Sequence, residues 1–236
     1  MNIASRITGV CMLMAGAAWG QGQQVMLMDD FADGVRNTAV WKPSRVYDGL
    51  FTERAGRLEY SCPSGLGMAR MTARNGYQLL PGDILEFEAL VSPGPLVSTS
   101  NAHLLEIGLG FRDQIPNPAK SCLVYLARIP TGLTVLVDVQ AATSNTRNYV
   151  LPAGYSRYIL TLRYNASTGK MSIFYRSVGS SFGVLLGTIP LNRWWGIPVG
   201  EGASLTPVLA ATSITIPVGS ADKAFVDSAV VTITAP

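Results

Sequence analysis

Apolar residues recur at every second position in several short stretches of the chain. Leu85, Phe87, Ala89 and Val91 alternate with Glu86, Glu88 and Leu90. Leu105, Ile107, Leu109 and Phe111 alternate with Glu106, Gly108 and Gly110. Leu133, Val135, Val137 and Val139 alternate with a set that includes Thr134 and Asp138, and Tyr158, Leu160, Leu162 and Tyr164 with a set that includes Thr161 and Arg163. A period of two places one set of side chains on a buried sheet face and the other set outward. These stretches predict half-buried antiparallel strands. Cys122 to Ile129 is apolar on both faces except at Arg128 and predicts a more central strand. Met171 to Ser177 and Val230 to Thr234 complete the set. Pro81-Gly82-Asp83, Pro93-Gly94-Pro95 and Pro130-Thr131-Gly132 punctuate the runs, and the segment from Asn165 to Lys170 predicts a hairpin loop with Gly169 at a positive φ. No stretch predicts more than two helical turns, although a short turn fits residues 37–41. Strands with one apolar face must bury it against a second sheet. The expectation is an all-β, two-sheet antiparallel sandwich forming one domain over residues 25–236.

Composition agrees with this picture. Only 14% of the 236 residues are charged, which argues against disorder by excess charge, and 24 Gly and 14 Pro are spread along the whole chain. The formal net charge of +3 comes from scattered cations with no basic run, so nucleic acid is not an expected partner. The first 20 residues read as a signal peptide. Arg6 supplies a positive start, Ile7 to Trp19 carries no charge, and Ala18-Trp19-Gly20 suits cleavage before Gln21. That uncharged run is too short to span a bilayer. The expected protein is therefore secreted or periplasmic, with no membrane insertion after cleavage. Beyond the signal segment lie two cysteines, Cys62 and Cys122. An even count in an exported chain favours a bridge over two buried thiols. Such a bridge would close a loop of roughly 60 residues, worth about 4 kcal/mol in the chain-entropy account.

Several segments resemble a known fold family. Asp29-Asp30-Phe31 with Asp33, then Trp41, then Gly56-Arg57-Leu58-Glu59-Tyr60 are similar to the opening of secreted bacterial concanavalin A-like (LamG-like) jelly-roll domains. Tyr158 to Tyr164, the Thr168-Gly169-Lys170 turn and Met171 to Tyr175 resemble the central hairpin of those domains, and Phe225-Val226-Asp227 with Val230-Val231-Thr232 resembles their closing strand. The resemblance implies a jelly roll. Such domains bind glycans, cleave them, or act as surface modules without a small ligand, and fold alone does not separate these uses.

The candidate chemistry is sparse. Jelly-roll glucanases carry their acids in an E-x-D-x-E or E-x-D-x-x-E run. Here Glu86-Phe87-Glu88 stops after two acids, and Glu106-Ile107-Gly108 has no second one, so no catalytic set is assigned. His103 is the single histidine, and no G-x-S-x-G elbow accompanies it. Asp30 and Asp33, joined by Asp227 from the last strand, would supply oxygen ligands for a structural calcium ion; no other cofactor is expected. Trp194 and Trp195 lie in a loop-like stretch with Asn192 and Arg193. In extended backbone one indole would pack inward, leaving the other free to offer a flat face to a sugar ring, with Asn192 or Arg193 adding polar contacts. Glu106 beside the bare positions of Gly108 and Gly110 is a further candidate contact. The leading expectation is a secreted module that binds glycans. A surface or matrix protein without a small ligand is the alternative, with a glycoside hydrolase behind both.

Overall fold

The computed structural model describes residues 22–97, 105–113, 120–140, 145–152, 156–197, 203–219 and 223–236. They form two antiparallel sheets of eight strands each. Sheet A runs in the order β14 (Val184–Ile189), β13 (Lys170–Ser177), β12 (Tyr158–Asn165), β7 (Ile84–Ser92), β16 (Ala224–Thr234), β4 (Arg57–Ser61) and β3 (Leu50–Arg54), and β1 (Gln23–Asp29) also pairs with β16. Sheet B runs β11 (Asn145–Val150), β10 (Gly132–Gln140), β9 (Ser121–Ile129), β8 (Leu105–Asp113), β15 (Ala203–Ile214), β5 (Leu66–Ala73) and β2 (Trp41–Tyr47), and β6 (Tyr77–Leu79) also pairs with β15. One short helix, α1 (Leu191–Trp195), joins sheet A to β15. No helix among the described residues is long and apolar enough to cross a membrane.

The alternating runs dictate this arrangement. Leu85, Phe87, Ala89 and Val91 of β7 face inward and are buried, as are Ile107, Leu109 and Phe111 of β8. The rings of Phe87 and Phe111 meet across the two sheets with centroids 5.9 Å apart. Each such side chain contributes about 1.5–3 kcal/mol through burial, and the core extends over most of both inner faces. As expected, β9 is central, lying between β8 and β10. The closing strand is longer than the sequence predicts. A register shift between Val226 and Ser228 lets it continue past the polar pair Asp227-Ser228.

The acidic-aromatic opening is a structural lock. Trp41 is buried, and its indole Nε1 donates to Asp29 Oδ2 at 2.8 Å. The other oxygen of Asp29 accepts from the Phe31 amide at 3.0 Å, where Phe31 turns at φ +52°.

The expected cysteine bridge is not formed. Both thiols are free and buried. Cys62 pairs through its backbone with Val218, and its Sγ donates to Asp48 Oδ1 at 3.0 Å. Cys122 sits within β9 between Phe111 and Val139. Each thiol is held by its own neighbours.

Candidate functional site

The outward residues predicted from alternation divide between the two sheets. Glu86, Glu88, Thr161 and Arg163 leave sheet A, whereas Glu106, Thr134 and Asp138 leave sheet B. Strand register assembles the outward face of sheet B row by row. Leu136, Tyr125, Gly108, Ala210 and Arg70 lie side by side on β10, β9, β8, β15 and β5. Asp138, Leu123, Gly110 and Val208 form the row on one side. Thr134, Ala127, Glu106 and Thr212 form the row on the other.

This face is not a solvated one. Leu123, Tyr125, Leu136, Val208 and Ala210 form a second apolar cluster, separate from the core between the sheets. Its floor is bare by necessity. A Cβ on Gly108 would lie 1.9 Å from the carbonyl oxygen of Val124, and one on Gly110 would lie 2.1 Å from that of Cys122. The backbone of β9 comes too close for any side chain at either position, so packing requires both glycines.

Two polar groups on this face have no hydrogen-bond partner among the described residues. Glu106 is 6% exposed and makes no hydrogen bond or ion pair among the described residues. Burial raises its carboxyl from the usual range to about 8, and the nearby charge of Asp138 adds to the shift. At neutral pH the group is therefore mostly a neutral acid, able both to donate and to accept. The Nε of Arg70 is buried and also unpaired. A buried donor or acceptor left unmatched costs about 1–3 kcal/mol. The second and third acids of an E-x-D-x-E run would fall at Gly108 and Gly110, where no side chain fits, so Glu106 has no partner acid on its own strand.

The tryptophan stretch differs from its expected form. It is the helix α1, not extended backbone. Trp195 is 1% exposed and plugs the core, with its Nε1 buried and unpaired. Trp194 is partly buried under the guanidinium of Arg147, 5.3 Å from its ring centroid. Arg147 pairs with the inward-facing Val137, so Trp194 lies on the side of sheet B opposite to Glu106. Asn192 is buried against Gly169, while Arg193 is exposed. The structure therefore does not bring Trp194, Trp195, Asn192 and Arg193 together with Glu106.

Nor does it gather the expected calcium ligands. Asp227 pairs with Arg157 at 3.2 Å, Asp30 accepts from the Ala32 amide, and Asp33 accepts from the Val35 amide. No group of three His, Cys, Asp or Glu among the described residues is arranged to hold a metal. Asp33 instead faces Glu53, whose carboxyl is raised to about 7 by burial, by its hydrogen bond with Asp33 and by the nearby acids. His103 and the signal segment lie outside the described residues.

Alternation cannot reveal an orphaned group, so Arg70 and Tyr125 escaped the sequence reading. One signal was present. The apolar second face of β9 already shows that the surface beside Glu106 is not simply polar.

No family model and no curated protein matches the sequence. The fold, however, is shared with solved structures. An endo-1,3-β-glucanase of Streptomyces sioyaensis superposes with a TM-score of 0.66 at 15% identity, covering 94% of this chain and 100% of its own. A pseudo β-1,3-glucanase and immunostimulatory antigen of Mycobacterium tuberculosis gives 0.56 at 13% identity, covering 90% and 99%. Basic winged bean lectin gives 0.61 at 12% identity, covering 89% and 99%. The architecture is thus the concanavalin A-like jelly-roll β-sandwich, shared by glucanases and lectins. At these identities the likeness concerns the fold alone.

Proposed function

We propose that this chain is an exported glycan-binding module without hydrolase activity, and that the outward face of sheet B receives the sugar. The observation that carries this reading is a pair of groups on that face with no hydrogen-bond partner among the described residues, the buried Glu106 carboxyl and Arg70 Nε, beside a floor of Gly108, Gly110 and Ala210. A neutral carboxyl and a guanidinium nitrogen match the donors and acceptors of sugar hydroxyls. Tyr125 and Leu136 supply an apolar wall for a sugar ring. Lectins and glucanases of the same fold favour a sugar as the ligand.

Two other readings each have an observation in their favour. The raised Glu106 carboxyl is what a general acid needs, but hydrolysis also needs a second carboxyl near it, and the strand supplies none. A module without a small ligand is favoured by the burial of Tyr125, which is only 3% exposed. A glycan array, followed by titration with a β-1,3-gluco-oligosaccharide, separates the three. The expected result is binding that Glu106→Gln weakens about tenfold, with no release of reducing ends. Reducing-end release abolished by Glu106→Gln would establish a hydrolase instead, and an array with no bound glycan would leave the ligand-free module. Export is tested independently: the mature chain should begin near Gln21, and an intact Met1 on extracellular protein would refute it.

A further inference from the structure

A cavity of about 660 Å³ opens at one end of sheet A. Four cationic side chains line it: Arg57 at the start of β4, Arg128 near the end of β9, Arg157 just before β12 and Lys223 just before β16. Phe225, Ser92, Gly94 and Ser156 complete much of the wall. Four short segments from both sheets thus converge their positive charge on one concavity.

Carboxylates answer only part of that charge. Glu59 takes both Arg57 and Lys223, and Asp227 takes Arg157. Arg128 has no acidic partner among the described residues. Its Nε donates to the carbonyl of Gly94 at 2.9 Å, and its two terminal nitrogens have no protein acceptor there. That bond also fixes the wall, because the Gly94 amide donates to Ser92 Oγ and Ser92 Oγ donates to the Ser156 carbonyl. Arg57 uses Nε and one terminal nitrogen on the same Glu59 oxygen and lies over the Phe225 ring, 4.3 Å from its centroid, leaving its other terminal nitrogen without an acceptor among the described residues. Among the described residues, Arg157 engages Asp227 through one terminal nitrogen. Guanidinium groups held in fixed orientations with open donors are suited to bidentate pairing with a carboxylate or sulfate. A cavity of this size admits a small ligand rather than a single ion.

We propose that this cavity binds the carboxylate or sulfate group of an acidic saccharide, with Arg128 as the principal contact and Arg57 and Arg157 on either side. The oxyanion assignment is independent of the Glu106 face, whereas the saccharide assignment rests on the glycan reading above.

The test is calorimetric titration of the full exported protein with three probes: a glucuronate-containing disaccharide, a neutral disaccharide of equal size and inorganic sulfate. The acidic disaccharide should bind at least tenfold more tightly than either of the others and should weaken as salt is raised. Arg128→Ala and Arg157→Ala should each weaken it about tenfold, and Arg128→Lys should fall between Arg128→Ala and wild type. Arg157 lies at the surface, so its variant is expected to keep the wild-type melting temperature and gives a reading even if Arg128→Ala unfolds. Glu106→Gln should leave this binding unchanged. Equal binding of the neutral disaccharide, or wild-type affinity in folded Arg157→Ala and Arg128→Lys, would overturn the site. Sulfate binding as tightly as the acidic disaccharide would overturn the saccharide assignment.

Discussion

The outward faces of the two sheets are built from similar alternating strands and have opposite characters. On sheet A the charges at the centre of the outward face are paired. Arg163 meets Glu86, Arg176 meets Glu88 at 2.7 Å, and the Thr161 hydroxyl donates to Glu88 at 3.0 Å. These pairs sit in water and contribute little. On sheet B the same alternation leads to a buried apolar cluster, two glycines that admit no side chain, and an acid and an arginine nitrogen without hydrogen-bond partners among the described residues. The first face meets its own polar needs with protein groups. The second leaves two of them unmet, which is why the binding site is placed there.

The sharpest way to break this contrast is to truncate one side chain on each face. Tyr125→Ala should destabilise the protein by about 3–5 kcal/mol, as for other buried aromatic truncations, whereas Glu88→Ala on sheet A should cost less than about 1 kcal/mol. Chemical denaturation reads both, and similar losses would erase the distinction. Next in size is the response to pH. The folded carboxyl of Glu106, raised to about 8, binds its proton more tightly than the unfolded one near 4.5. The stability it contributes is therefore complete below about pH 4.5 and is lost as pH rises towards 8. Glu53 acts in the same direction up to about 7. Melting curves from pH 4.5 to 8.5 should fall for the wild type, and Glu106→Gln should remove a large part of that fall, of the order of a few kcal/mol. An unaltered slope in Glu106→Gln would mean that its carboxyl is solvated.

Glycine substitutions give a smaller contrast. Gly108→Ala should cost about 1–3 kcal/mol through overpacking against β9. Gly183→Ala, beside β14 in sheet A, meets nothing nearer than 3.5 Å and should be neutral within about 0.5 kcal/mol. The smallest effect belongs to the Arg163–Glu86 pair, where a double-mutant cycle should return about 0.2–1 kcal/mol and decline with salt.

Most of the strand framework was legible because burial writes itself into alternation. Leu85 to Val91, Leu105 to Phe111, Leu133 to Val139 and Tyr158 to Tyr164 all fall within observed strands. Elements that bury little left weaker traces. The β11 strand reads Asn-Thr-Arg-Asn-Tyr-Val, and β2 carries Pro43, which an edge strand tolerates. The α1 helix is a single turn flanked by Pro190 and a left-handed Gly196, too short for helical periodicity to show. Its helical backbone therefore also misdirected the reading of Trp194 and Trp195, which had assumed extended chain. The site was half legible. Alternation put Glu106 on the outward side, but whether that side meets water depends on strands far apart in sequence. The convergence of Arg57, Arg128, Arg157 and Lys223 is a product of topology alone and left no local pattern.

The central claim is that the outward face of sheet B, and not that of sheet A, receives a glycan. Amide chemical-shift mapping of the isotope-labelled protein during titration with a β-1,3-gluco-oligosaccharide tests it most directly. The account predicts saturable shifts concentrated on Glu106, Gly108, Gly110, Tyr125, Ala210 and Arg70, and their loss in Glu106→Gln. Shifts confined to Glu86, Glu88, Thr161 and Arg163, or no saturable shift with any glycan retained on the array, would contradict it.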